Sequence, residues 1–189
     1  LELITQQSRL GPYVLQPQGS RELQTTYMDT SDWVLSRHRI ALRIRHDGTH
    51  WEATAKWGGA VVDGIHDRVE LNVALPQAPP QPFLLPPGEL HDALAAMIAA
   101  RPLLPIFRTD IHRTIFDLMA PGIATPVAEL AADVVRVSRA AASTPEHTYW
   151  EVEVEQRDGV RDDLIALAQM LRREFHARPS ERSKYTEGM

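Results

Sequence analysis

Through most of this chain apolar and polar residues alternate with a period of two, which is the signature of strands with two unlike faces. In "ALRIRHD" Leu42 and Ile44 fall on one side and Arg43 and Arg45 on the other. In "WEVEVEQRDG" Val152 and Val154 alternate with Glu151, Glu153 and Glu155. "IALRIRHDGTHWEATAKW" predicts a hairpin, because two alternating runs flank His46, Asp47, Gly48 and Thr49, and Asp-Gly is a strong turn pair. Further strands are predicted in "LQTTYMDT", in "DRVELNVAL" after a glycine loop that begins at Gly58, and in "PIFRTDIHRTIFDLM", "PVAELAADVVRVS" and "HTYWEVEVEQ".

Helical spacing is confined to a few places. "LELITQQSRLG" reads as a short helical piece ending near Gly11, and "HDALAAMIAAR" as a helix stopped by Pro102. "VRDDLIALAQMLRREFHA" carries Leu164, Leu167, Ala168 and Leu171 on one side, an amphipathic helix. "PYVLQPQGSRE", with two prolines and a glycine, reads as a connection. The proline-dense residues 76–88 read as a semi-rigid insertion outside the core. The expected fold is α+β and mainly β: seven or eight short-connected antiparallel strands in a sheet or barrel, flanked by helices.

The polar faces of these strands are unusual. Lys56 shares a face with Glu52 and Thr54, and Arg68 with Glu70 and Asn72. Arg113 stands between Ile111 and Ile115, and Glu129 and Asp133 flank Ala131. Any one of these is accounted for by a solvated strand face. Taken together they would line a barrel interior with like charges, which is costly unless partners compensate them. An anion suits the basic wall, where Arg offers a planar fork to phosphate oxygens and Lys a point charge. Carboxylate oxygens suit a hard divalent ion such as magnesium or manganese. A phosphate chain bound with a metal supplies both.

Composition narrows the choices. The chain has 189 residues, 43% hydrophobic and 24% charged, as expected of one ordinary globular domain. A formal net charge of -5 gives no basic field for nucleic acid. The absence of cysteine excludes disulfides and thiolate metal sites. No apolar run is long enough to span a membrane and no signal peptide is visible, so the cytoplasm is the default expectation. The eight histidines are scattered, and none has a metal-ligand spacing.

The motifs "TTYMDTSDWVL", "ALRIRHDG", "ATAKWGG", "GIHDRVELNVAL", "FRTDIHR", "AELAAD", "WEVEVEQRDG" and "SERSKYTEG" run in order from Gln24 to Gly188. Together they resemble the CYTH domain of the triphosphate tunnel metalloenzymes, and more narrowly the bacterial inorganic triphosphatases in which a CHAD domain follows. The resemblance implies a closed eight-stranded antiparallel barrel around a charged tunnel. It implies that Arg43, Arg45, Lys56, Arg113 and Lys184, with Arg68, bind the triphosphate. It implies an acidic wall of Glu70, Glu129, Asp133, Glu151, Glu153 and Glu155 that holds magnesium or manganese, with Glu151 and Glu153 foremost. The catalytic set would be Arg43, Arg45, Lys56, Arg113 and Glu153.

The implied activity is metal-dependent hydrolysis of tripolyphosphate to phosphate and pyrophosphate. Related possibilities within the resemblance are thiamine triphosphate or ATP as substrate, including cyclase chemistry, and a polyphosphate-binding module without turnover. One departure is visible. The family's first strand carries an E-x-E-x-K signature, and "LELITQQ" has only Glu2 of it. Residues 1–189 are therefore expected to form one CYTH domain whose first strand either lies upstream of Leu1 or is lacking in this member; in two-domain relatives a CHAD domain would begin after the position of Met189. Glu187 also stands where related sequences often carry a basic residue.

Overall fold

The computed structural model describes residues 2–59, 61–62, 65–99, 101–142, 144–180 and 182–189. In chain order the elements are α1 (Glu2–Thr5), β1 (Arg9–Leu10), β2 (Tyr13–Asp29), α2 (Val34–Arg37), β3 (Ala41–His46), β4 (Trp51–Trp57), β5 (Val61–Val62), β6 (Ile65–His66), β7 (Val69–Leu75), α3 (Glu89–Ile98), β8 (Leu104–Met119), β9 (Ala128–Arg139), β10 (His147–Gln156), α4 (Arg161–Phe175) and α5 (Lys184–Gly188). The glycine loop expected after β4 falls partly outside the described residues, at 60, 63 and 64.

The alternating runs pair antiparallel into an eight-stranded sheet ordered β10-β9-β8-β2-β3-β4-β7, with β1 beside the start of β2. This sheet does not close into the expected barrel. Its ends are β10 and β7, and among the described residues no strand joins them. Period-two alternation reports only that a strand has two unlike faces. Closure depends on hydrogen bonds between the outermost strands, which alternation does not encode.

The segment "PYVLQPQGSRE" is not a connection. It forms the first half of the 17-residue strand β2, because the 16-residue strand β8 offers it an unbroken ladder. The register shifts between Pro17 and Gly19, where proline's missing N–H is tolerated, and Gly19 takes φ +97°. The proline-rich residues 76–88 also contribute more to the core than their composition suggests. Phe83 bridges to Leu103, and both Phe83 and Leu85 are buried.

One sheet face is apolar and covered. On β8, β9 and β10 it presents Phe116, Leu118, Leu130, Ala132, Val152 and Val154, packed with Leu167 and Leu171 of α4. On β3, β4 and β7 it presents Leu42, Ile44, Ala53, Ala55, Leu71 and Val73, packed with Leu90, Leu94 and Ile98 of α3. Each fully buried side chain of this kind contributes about 1.5–3 kcal/mol by leaving water. Asp163 fixes the start of α4: it accepts from the Val160 N–H at 2.9 Å and from the Tyr13 hydroxyl at 2.8 Å. Covering this face leaves the opposite, charged face to form the site.

Candidate functional site

The ladder registers place the charged residues on one face. Arg21, Arg113, Asp133 and Glu151 form a single cross-strand row over β2, β8, β9 and β10. Arg45 stands opposite Thr25 on one side and Glu52 on the other, and Lys56 opposite Glu70. One end of this face is apolar, where Leu23, Tyr27, Phe107, Ile111, Val135 and Val137 cluster with Tyr149 and Tyr185. Tyr27 stacks on Phe107 with centroids 4.4 Å apart, and Tyr185 lies against both rings.

Three carboxylates converge beside that cluster. One oxygen each from Asp133, Glu151 and Glu153 lies within 4.8 Å of the other two. Hard oxygen donors so close together fit a hard divalent cation of the magnesium or manganese kind. In this structure their charge is met by cations of the chain. Lys184 reaches Asp133 at 3.0 Å and Glu153 at 2.8 Å, and also pairs with Glu151. Arg113 grips Asp133 with a two-pronged contact, Nε at 2.8 Å and a terminal nitrogen at 2.7 Å, and also bonds Glu153.

Burial opposes the charge on Asp133, but the Arg113 fork and the Lys184 ammonium outweigh it and hold its carboxyl below the usual range. Burial likewise opposes the charge on Arg113, but Asp133 and Glu153 raise its pKa above the ordinary arginine value. Lys184 is pushed down to about 7, first by burial, which the attraction of Asp133 resists and the nearby Arg113 and Arg45 reinforce.

The basic residues surround this cluster. Lys56 pairs with Glu70 at 2.6 Å, and Arg43 reaches the same carboxylate at 3.9 Å. Burial and the neighbouring Arg43 lower the Lys56 pKa, although Glu70 resists. Arg45 is lowered to about 10, by burial first and then by the Arg43 and Arg113 cations. Its guanidinium donates to Thr25 Oγ1 at 3.3 Å.

The sequence-predicted residues therefore divide. Arg43, Arg45, Lys56, Arg113 and Lys184 share one electrostatic field with Asp133, Glu151 and Glu153. Glu70 belongs to the basic side. Glu129 and Glu155 lie apart from the cluster and are both held by Arg157, at 2.7 and 3.3 Å. Arg68 precedes β7 rather than lying on it, and has no ion pair among the described residues.

Several residues the sequence reading did not name are part of the arrangement. Asp29 is fully buried and accepts from the backbone N–H groups of Leu35 and Ser36, each at 2.9 Å. Ser36 bonds both Asp29 and the Tyr185 hydroxyl. This chain of contacts ties α5, and with it Lys184, to the end of β2. Gly188 completes the fit, since a Cβ there would run into the Phe107 ring. The Asp/Thr/Ser run after Tyr27 signals a turn; nothing in it signals the distant partner.

A model of the CYTH domain matches residues 11–188. The chain belongs to the CYTH domain family. This CYTH domain is 30% identical over 155 residues to an inorganic triphosphatase of Haemophilus influenzae, an alignment covering 79% of the chain and 40% of that relative. It thus spans less than half the length of the relative. A crystal structure from Bacillus halodurans, described as a candidate adenylate cyclase, superposes with TM-score 0.64 at 18% identity, covering 98% of this chain and 87% of that one. A candidate adenylyl cyclase from Hippeastrum, described as having a dominant triphosphatase activity, superposes with TM-score 0.64 at 16% identity, covering 93% and 83%. At these identities the superpositions carry the fold of the CYTH domain and no more. No helix among the described residues is long and apolar enough to cross a membrane.

Proposed function

We propose that this CYTH domain hydrolyses inorganic triphosphate to phosphate and pyrophosphate with a divalent metal ion. The observation that carries this reading is the single face on which five cationic side chains adjoin a three-carboxylate cluster. Arg43, Arg45 and Lys56 hold and neutralise phosphate oxygens, while Arg113 and Lys184 sit between those oxygens and the carboxylates. A magnesium or manganese ion held by Asp133, Glu151 and Glu153 would supply charge neutralisation on the phosphoryl group and an acidified, positioned water. Water attack on the terminal phosphorus would break its bond to the bridging oxygen and release pyrophosphate, with Arg43, Arg45 and Lys56 neutralising the phosphate oxygens and no side chain acting as a covalent nucleophile. The Haemophilus influenzae relative's name supports the same reaction class.

Arginines, carboxylates, Gln18, Leu23 and Ile115 line the open cavity on this face, a lining that suits a phosphate chain. A second reading, a polyphosphate-binding module without turnover, is favoured by the open edge between β7 and β10.

Phosphate release from tripolyphosphate, measured with magnesium or manganese and with a chelator control, tests the proposal. Metal-dependent release, faster than release from ATP or thiamine triphosphate, is expected. Tight binding without release would replace it with the binding module, and neither binding nor release would sink both.

A further inference from the structure

Glu70 stands on the basic side of the face rather than in the acidic wall, and the side chains around it explain why. It belongs to β7, an outermost strand of the sheet, where a carboxylate has water as an alternative partner. It is nevertheless drawn inward. Lys56 Nζ lies 2.6 Å from one of its oxygens, and a terminal nitrogen of Arg43 lies 3.9 Å from the other.

Two cross-strand rows hold it there. In one, Glu70 stands opposite Lys56 of β4. In the other, Asn72 of β7 stands opposite Thr54 of β4, which in turn stands opposite Arg43 of β3. Thr54 is fully buried, and its hydroxyl donates to Asn72 Oδ1 at 2.7 Å; Glu52 Oε1 is its longer contact, at 3.2 Å. An amide that accepts through its oxygen has its N–H groups free for another partner, and the Asn72 side chain hydrogen-bonds the Glu70 carboxylate. Burial opposes the charge on Glu70, and the Lys56 contact, the Arg43 cation and the Asn72 bond together outweigh it. A line of contacts thus runs from buried Thr54 through Asn72 and Glu70 to two cations. Arg43 and Lys56 repel each other, and the one carboxylate between them offsets that repulsion and sets their spacing.

We propose that Thr54 and Asn72 are positioning residues that lock the Glu70 carboxylate, so that it presents Lys56 and Arg43 to a phosphate chain as one pre-set pair. This role rests on the triphosphatase reading and extends it to neutral side chains that act only through Glu70. Losing either neutral partner lets Glu70 turn to water, and the pair must then be ordered as the substrate binds, at a cost in affinity. The acidic cluster lies on β9 and β10, so the chemistry at the terminal phosphorus is left alone.

Steady-state hydrolysis of tripolyphosphate, and its calorimetric titration in chelator, are compared in wild type, Thr54→Val, Thr54→Ser, Asn72→Ala, Glu70→Gln and the Asn72→Ala/Glu70→Gln double variant. Asn72→Ala and Thr54→Val each raise KM about three- to tenfold, the value of a lost hydrogen bond, with kcat within about twofold of wild type. Thr54→Ser keeps the hydroxyl and restores the wild-type KM. The double variant binds no more weakly than Glu70→Gln, because Asn72 acts through Glu70. Asn72 is exposed on an outermost strand, so Asn72→Ala opens no cavity in the core, and it decides the matter if Thr54→Val melts below wild type. KM and Kd within about twofold of wild type in Asn72→Ala, a loss in kcat instead of KM, or additive losses in the double variant overturns the positioning role and leaves the proposed function standing. A protein that binds tripolyphosphate without turnover is judged by Kd on the same criteria. A wild type that binds no tripolyphosphate overturns both.

Discussion

Lys184 places its ammonium 3.0 Å from a carboxylate oxygen of Asp133, with 6% and 0% of the two side chains exposed. The same nitrogen pairs with Glu151 and Glu153, so one lysine stands among all three carboxylates that could hold a divalent ion. A divalent ion held by these carboxylates would compete with the lysine for the same oxygens.

Removing that lysine exposes the competition. Lys184→Met leaves the acidic cluster short of a cation, and breaking such a buried pair costs about 3–5 kcal/mol. Thermal melts in chelator should show the loss. Added manganese should restore part of it, and calorimetry should show tighter manganese binding than in wild type. Unchanged manganese affinity in the variant would mean that Lys184 does not occupy the metal position.

The carboxylates themselves are tested by charge removal at constant shape. Glu151→Gln and Glu153→Gln should each abolish phosphate release from tripolyphosphate at a fixed metal concentration, with far-ultraviolet circular dichroism unchanged. Retained turnover in either would remove that residue from the metal site. Glu129→Gln should keep turnover, because Arg157 holds Glu129 outside the cluster.

The Tyr185 hydroxyl is a positioning contact. Tyr185→Phe keeps the ring against Tyr27 and Phe107 but releases Ser36, costing about 0.5–1.5 kcal/mol of stability. Since α5 then holds Lys184 less firmly, KM for tripolyphosphate should rise more than kcat falls. Ser36→Ala should reproduce that split. Equal effects on kcat alone would place the contact outside substrate binding.

Acid should weaken the domain through Asp133. Its folded-state pKa lies below the ordinary value, so its contribution is fully present above about pH 4 and is lost as pH falls through the folded value. Denaturant titrations below pH 4 should give a flatter stability profile for Asp133→Asn than for wild type, from a lower starting point. Parallel profiles would show that Asp133 is not held ionised by Arg113 and Lys184.

Much of this was legible in the chain because alternation is a local property. Leu42 and Ile44 against Arg43 and Arg45, or Val152 and Val154 against Glu151 and Glu153, assign each residue to a face without reference to any other strand. The ordered motifs likewise pointed to the CYTH family before the strands were assembled. The first half of β2 was not legible. Pro17 and Gly19 argue locally for a connection, and only the length of β8 as a partner overrides them.

By itself the sequence determined most of the strands, the apolar stripe of α4 and the division of each strand into a charged and an apolar face, since each follows from spacing along a single segment. Tertiary structure decided which charges meet. Asp133, Glu151 and Glu153 converge because β9 and β10 pair in one register, while Glu155 and Glu129, in the same two strands, fall to Arg157. Lys184 arrives from a helix fixed by Tyr185, Ser36 and Asp29, residues far apart in the chain. The sheet's open edge was decided there as well. Register, ion pairing and closure are all relations between segments, and a one-dimensional pattern of polar and apolar positions does not specify them.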